Sequence, residues 1–311
     1  MITTKIYANA VAKYNEGKLL GDEFLRRLAD AEYADAVRLL CEKGYGGGAA
    51  DEKSYDADAF ISRETAALLA YAATDAPNDF LSRVLLNPFL YGNAKAYYKA
   101  RYTGATAVVY EMDDEEVRKG ILDREYAALS PFMADALASL DAACEQEPDP
   151  KRMDAVLTKA CYQDSLYCAQ KSGTRKLVQY VRVKIDLLNL LSVWRAKALG
   201  ASFESVRPLL IEGGKRLTEE ALRALYNDDA DALPDAYEPL LAAKGNLPQA
   251  EALADDITAS IFASESENMT SYAPFIHYFT AQLNEYRTVK TILVCLKNGA
   301  REQIAARLRK A

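Results

Sequence analysis

Residues 181–200 read VRVKIDLLNLLSVWRAKALG. With about 100° between successive residues of a helix, Ile185, Leu187, Leu188, Leu190, Leu191, Val193, Trp194 and Leu199 leave almost no polar side. The stretch is therefore expected to be a helix buried all round. It nonetheless carries Asp186, Asn189, Arg195 and Lys197. Charges away from water are costly unless paired, so these four are expected to meet partners on neighbouring helices. Asp186 and Lys197 lie about three helical turns apart, on one face with Asn189 and Val193 between them.

Two further stretches share the pattern. Residues 88–104 read PFLYGNAKAYYKARYTG, and pairing Asn93 with Asn189, a shift of 96, also pairs Tyr98 with Trp194, Lys99 with Arg195, Arg101 with Lys197 and Gly104 with Gly200. Residues 281–299 read AQLNEYRTVKTILVCLKNG, and a shift of 99 pairs Gly299 with Gly200, Glu285 with Asp186 and Ile292 with Val193. Thr288 then stands in the asparagine's place and Leu296 where a base is expected. Three like helices at a nearly constant period predict three related helical modules. Their boundaries read as roughly 1–147, 148–216 and 217–311, with QEPDPK (146–151) as the seam between the first two.

Half of the 311 residues are hydrophobic, ample for a core, and nothing alternates with a strand's period of two. The chain is expected to be all-α. A formal charge of −7 speaks against a general nucleic-acid binder. Five dispersed cysteines without a CxxC pair point to buried thiols in a reducing compartment. No signal peptide is visible, and no run approaches the ~20 apolar residues that span a bilayer. The chain is expected to be soluble by itself, reaching any membrane through a partner.

Helix ends punctuate the rest. Asp22 is read as the N-cap of a second helix, and Pro88 as the first residue of the helix holding Asn93. Ser130-Pro131 and Thr218 open further helices, while the four glycines of 43–56 predict a flexible loop. Gly213-Gly214-Lys215 lacks the first glycine and the hydroxyl of a phosphate loop, so it reads as a turn between helices. Asp228-Asp229-Ala230-Asp231 has no second carboxylate cluster to share a Mg²⁺ with and reads as an acidic loop. The one histidine, His277, has no ligand-spaced companion and reads as a packed neighbour of aromatic rings. Cys161 and Cys168 read as core. No catalytic residue, metal site or cofactor site is expected.

Several of these stretches together resemble one family. The opening YANAVAKYNEGKLL, then NPFLYGNAKAYYKAR, KIDLLNLLSVWRAK, LLIEGGKRLTEEAL and NEYRTVKTILVCLKNGAREQIAARL, in that order and nearly end to end, resemble the C subunits of the A/V-type rotary ATPases, relatives of the d subunit of the vacuolar enzyme. Departures are Thr288 and Leu296, the absence of an arginine near Val11–Lys13, and the glycines at 44–48. The resemblance implies a funnel of helices with pseudo-threefold arrangement. It also implies a central-stalk component without an active site, seated on the proteolipid (c/K) rotor ring at the cytoplasmic face of the membrane. There it would receive shaft subunits D and F and transmit torque between ATP chemistry and proton or sodium transport.

On that footing Asp186, Asn189, Arg195 and Lys197, with Asn93, Lys99, Arg101 and Glu285, either lock the modules together or line the funnel and touch the shaft. The ten acids of 219–256 and the seven bases after residue 286 either present opposite fields to the partners or are ordinary solvated helix faces. A free helical scaffold unrelated to rotary machines is the competing function.

Overall fold

Every regular element among the described residues, 5–48, 57–144 and 149–304, is helical. This computed structural model divides the chain into two compact units, one of residues 1–77 with 248–311 and one of residues 78–247. The sequence thus leaves the first unit and returns to it. The seam expected at 146–151 lies partly outside the described residues, with Asp149 and Pro150 opening the helix that follows.

The first unit holds α1 (Lys5–Glu16), α2 (Asp22–Asp30), α3 (Tyr33–Glu42), α4 (Ala57–Thr74), α12 (Leu247–Ala263) and α13 (Ala273–Lys297). α13 packs against α1, α2, α3 and α4. Ala8 and Ala12 of α1 are fully buried. Asp22 is the first residue of α2 and not its cap; Gly21 holds that position without a side-chain bond. The glycine-rich stretch is a 3-10 turn over Tyr45–Gly48, where the Gly46 N–H donates to Glu64 at 2.6 Å. Residues 49–56 of that loop are outside the described residues.

The second unit holds α5 (Asp79–Thr103), α6 (Glu115–Asp123), α7 (Pro131–Cys144), α8 (Pro150–Lys171), α9 (Arg175–Ala198), α10 (Phe203–Val206) and α11 (Glu219–Tyr226). α8 runs against α5, α7 and α9. One apolar cluster built on Tyr91, Tyr98, Ile121, Leu137, Leu140 and Leu157 joins α5 to α8. Pro88 does not begin a helix. α5 starts nine residues earlier, capped by Asn78, which accepts the Leu81 N–H at 3.0 Å, and it runs through Pro88. An interior proline costs a helix about 3 kcal/mol. Pro88 is exposed, while Leu85, Asn87 and Tyr91 on either side are buried, so packing of both flanks outweighs the local break. α5, α9 and α13 each end at a left-handed glycine, Gly104, Gly200 and Gly299, with φ near +67° to +68°.

α9 is the buried centre that its sequence predicts. Twelve of its 24 residues are buried, from Leu177 to Trp194. Leu199 is the exception at 77% exposed, because the helix stops at Ala198 and the chain turns outward at Gly200.

Candidate functional site

Polar side chains expected to lie among helices do something more local: they hold the backbone that leads into a short helix. Asp186 is fully buried. Its carboxylate accepts the N–H groups of Lys215 (3.0 Å), Arg216 (2.8 Å) and Leu217 (3.2 Å), and the Tyr237 hydroxyl at 2.8 Å. The partners are backbone dipoles and a phenol in place of the expected base, and four donors on one carboxylate answer its burial. The backbone just after Gly213-Gly214, at Lys215–Leu217, therefore does hold an anion, and that anion is the chain's own Asp186. A Cβ at Gly214 would collide with Asp186 Oδ1.

One turn on, buried Asn189 grips a single residue from both sides. Its Nδ2 donates to Ile211 O at 2.8 Å, and its Oδ1 accepts Ile211 N at 2.8 Å. Lys197, half-buried, donates to the Tyr226 carbonyl (2.6 Å) at the end of α11 and to Asp228 (2.5 Å). Lys244 meets the same carboxylate at 2.6 Å, and hydrogen bonds from the two lysines hold Asp228 down to about 2. The acidic loop is thus a lysine-tied turn. Arg195 is exposed and does not share the buried face.

α5 repeats the arrangement in its own materials. Asn93, also fully buried, donates to Tyr110 O (2.8 Å) and accepts Tyr110 N (2.7 Å), the same two-sided grip as Asn189 on Ile211. It also donates to Asp114, the residue before α6, at 2.7 Å. Arg101 donates to the Ile121 carbonyl in the last turn of α6 at 2.9 Å and pairs with Asp141. Burial works to raise the Asp141 carboxyl, but hydrogen bonds from Tyr126, Tyr98 and Arg101 hold it below the usual range. Lys99 reaches across to Asp154 of α8 at 2.8 Å.

α13 carries the third version. Glu285 accepts the Leu20 N–H just before α2, the Tyr45 hydroxyl at 2.5 Å and the Gln282 amide at 2.8 Å. Burial with no base among those donors pushes its carboxyl up. Thr288, in the asparagine's place, turns back on its own helix and donates to Asn284 O at 3.0 Å. Here the segment held comes from the chain's beginning, because α13 lies near its end.

Beside Glu285 a cleft of about 520 Å³ opens between the 19–26 segment, α12 and α13, lined among others by Leu20, Asp22, His277 and Asn284. His277 Nε2 lies 3.7 Å from Glu16. Among the described residues no group of three His, Cys, Asp or Glu side chains could hold a metal ion. Cys161 and Cys168 are buried, as expected of core, and burial pushes both thiols up to about 12.

Sequence reasoning missed the receiving partners. Asp164, 1% exposed, takes the Tyr91 hydroxyl (3.1 Å) and Arg83 (3.2 Å). Tyr45, Tyr98, Tyr126 and Tyr237 likewise donate to carboxylates. Only the abundance of tyrosine, 20 residues, signalled this in the sequence.

The sequence profile of the family described as ATP synthase (C/AC39) subunit matches residues 8–307. The chain belongs to that family. The C subunit of the V-type ATP synthase of Thermus thermophilus is 25% identical over 241 residues, 74% of this chain and 73% of the relative. The C subunit of the A-type ATP synthase of Methanosphaera stadtmanae is 21% identical over 257 residues, 75% of this chain and 65% of the relative. A third relative, the A-type C subunit of Thermococcus onnurineus, is 25% identical over 67% of this chain and 61% of its own length. This C/AC39 member has no helix among its described residues long and apolar enough to cross a membrane. Some charges of the acidic and basic spans meet partners within their own unit. Arg287 pairs with Asp255, and Arg207 and Arg223 share Glu219.

Proposed function

We propose that this chain is a non-catalytic central-stalk component of a rotary ATPase. It sits on the proteolipid (c/K) rotor ring at the cytoplasmic face of the membrane, takes up shaft subunits D and F, and passes torque between ATP chemistry and proton or sodium transport. The single observation behind this reading is the family match across residues 8–307. The three pinned connections suit such a role. A coupling piece must not yield where one helix hands over to the next, and buried side-chain hydrogen bonds to backbone resist that better than solvated loops do. The polar set Asn93, Lys99, Arg101, Asp186, Asn189, Arg195, Lys197 and Glu285 is proposed to stiffen and lock three related modules, about 1–147, 148–216 and 217–311, arranged as a pseudo-threefold funnel.

The test is the complete complex purified with and without this chain. ATP hydrolysis should persist in its absence while ATP-driven ion transport is lost, and adding the chain back should restore transport. A chain that binds neither ring nor shaft, or whose removal leaves transport intact, would instead be a free helical scaffold.

A further inference from the structure

The two asparagine grips of the second unit hold very different segments. Ahead of Ile211 the chain folds into α10 and a 3-10 turn over Arg207–Leu209, so its backbone satisfies itself. Ahead of Tyr110 the chain has no regular secondary structure from Gly104 onward and is exposed there except at half-buried Ala107. Val108 is 92% exposed, and Val109 and Tyr110 follow it at the surface. Among the described residues, the backbone N–H and C=O groups of Thr106, Ala107, Val108 and Val109 make no hydrogen bond.

Nor is this a loose end. Gly104 N bonds Ala100 O at 2.8 Å at one end, and Asn93 grips Tyr110 at the other. The Tyr110 ring packs edge-on against Phe89 with centroids 5.0 Å apart. The sequence Thr106–Tyr110, TAVVY, has the β-branched and aromatic composition of a strand in a chain that otherwise builds helices. It carries none of the lysine, proline or bulge that usually protects an open edge. Beyond it Glu111, Asp113 and Glu116 are exposed, while the nearby bases Arg118 and Lys119 are already paired with Glu115.

We propose that Thr106–Val109 is a preformed edge that receives an extended, base-bearing segment of a partner chain by strand addition. Main-chain hydrogen bonds to the four unpaired residues supply the register. The acidic run that follows selects lysine or arginine at the adjoining end of the partner, which is a specificity effect before it is an affinity effect. Two strands alone are marginal in water. Holding one of them rigid lowers the ordering cost that the pair must meet.

The test uses the full chain and a short acetylated peptide of alternating valine and lysine. Amide exchange at residues 106–109 should slow by roughly tenfold or more on peptide addition, against unchanged exchange in the helices. The same peptide N-methylated at alternate residues should give no protection. A valine–glutamate peptide should protect less, and Val108→Pro should abolish the effect without altering thermal unfolding. No protection in the unaltered chain, or equal protection by the N-methylated peptide, overturns the proposal. Protection already present without peptide, accompanied by concentration-dependent self-association, would assign the edge to a second copy of the chain and also overturn it.

Discussion

Asp186 in the second unit and Glu285 in the first stand at matching points of like helices, and their surroundings differ in kind. Asp186 has three backbone N–H groups and a phenol, while Glu285 has one backbone N–H, a phenol and an amide. The contrast extends to other carboxyls. Asp141 and Asp228 of the second unit are held low, by hydrogen bonds from tyrosines and arginine and from two lysines, whereas burial pushes both Glu285 and Glu64 of the first unit up. One pattern of helix thus stands in one unit among carboxylates held ionised and in the other among carboxyls that resist ionisation.

Asp186→Ala should show the largest effect. It orphans three N–H groups and the Tyr237 hydroxyl, and its cost should be on the order of 3 kcal/mol or more. Urea unfolding followed through Trp194, the chain's one tryptophan, measures it. Gly214→Ala pushes a methyl into the same carboxylate and should cost about 1–3 kcal/mol by overcrowding alone. If Gly214→Ala is neutral, the close approach at that turn is not as described.

Asn189→Ala leaves a donor and an acceptor at buried Ile211 unmet, a loss of about 2 kcal/mol. Asn93→Ala frees the backbone of exposed Tyr110, which water can solvate, so its loss should be nearer ~1 kcal/mol. Equal losses would mean that burial of the held residue does not set the strength of the grip.

Acidification separates the two units with opposite signs. Asp141 is lower in the folded chain than in the unfolded one, so its stabilisation is present above the ordinary carboxylate range and fades as pH falls through it. Glu285 and Glu64 are higher when folded, so their contribution is present below the ordinary glutamate value and is lost as pH rises through the raised one. Amide exchange, corrected for its intrinsic pH dependence, should show α13 tightening on moving from neutral to mildly acidic pH, and α5–α7 loosening only once the pH falls below the ordinary carboxylate range. The smallest expected effect is at exposed Asp228, whose coupling to Lys197 and Lys244 in a double-mutant cycle should disappear in high salt.

Much of this was legible in the sequence because periodicity and burial are local signals. The all-α class, the buried run from Ile185 to Trp194 and the closing glycines follow from residue type and spacing. Pro88 misled because a proline marks a helix start in isolation, and only the packing of Leu85 and Tyr91 shows why α5 continues through it. The polar residues were identifiable as costly to bury, but their partners were not. Backbone N–H groups leave no trace in composition, and the turn at Lys215–Leu217 lies about thirty residues from Asp186 in the chain. Glu285 shows the same limit more strongly, since its partners Leu20 and Tyr45 come from the opposite end of the sequence.

Stiffness at the helix-to-helix connections is most directly tested by native-state amide exchange at Lys215, Arg216 and Leu217 in the unaltered chain and in Asp186→Asn. The neutral amide keeps the shape but accepts with one oxygen in place of two. Pinned connections predict slow exchange at all three residues in the unaltered chain and markedly faster exchange in the variant, with α9 itself still protected. Fast exchange in the unaltered chain, or no change on substitution, would contradict the idea that buried side chains hold these connections rigid.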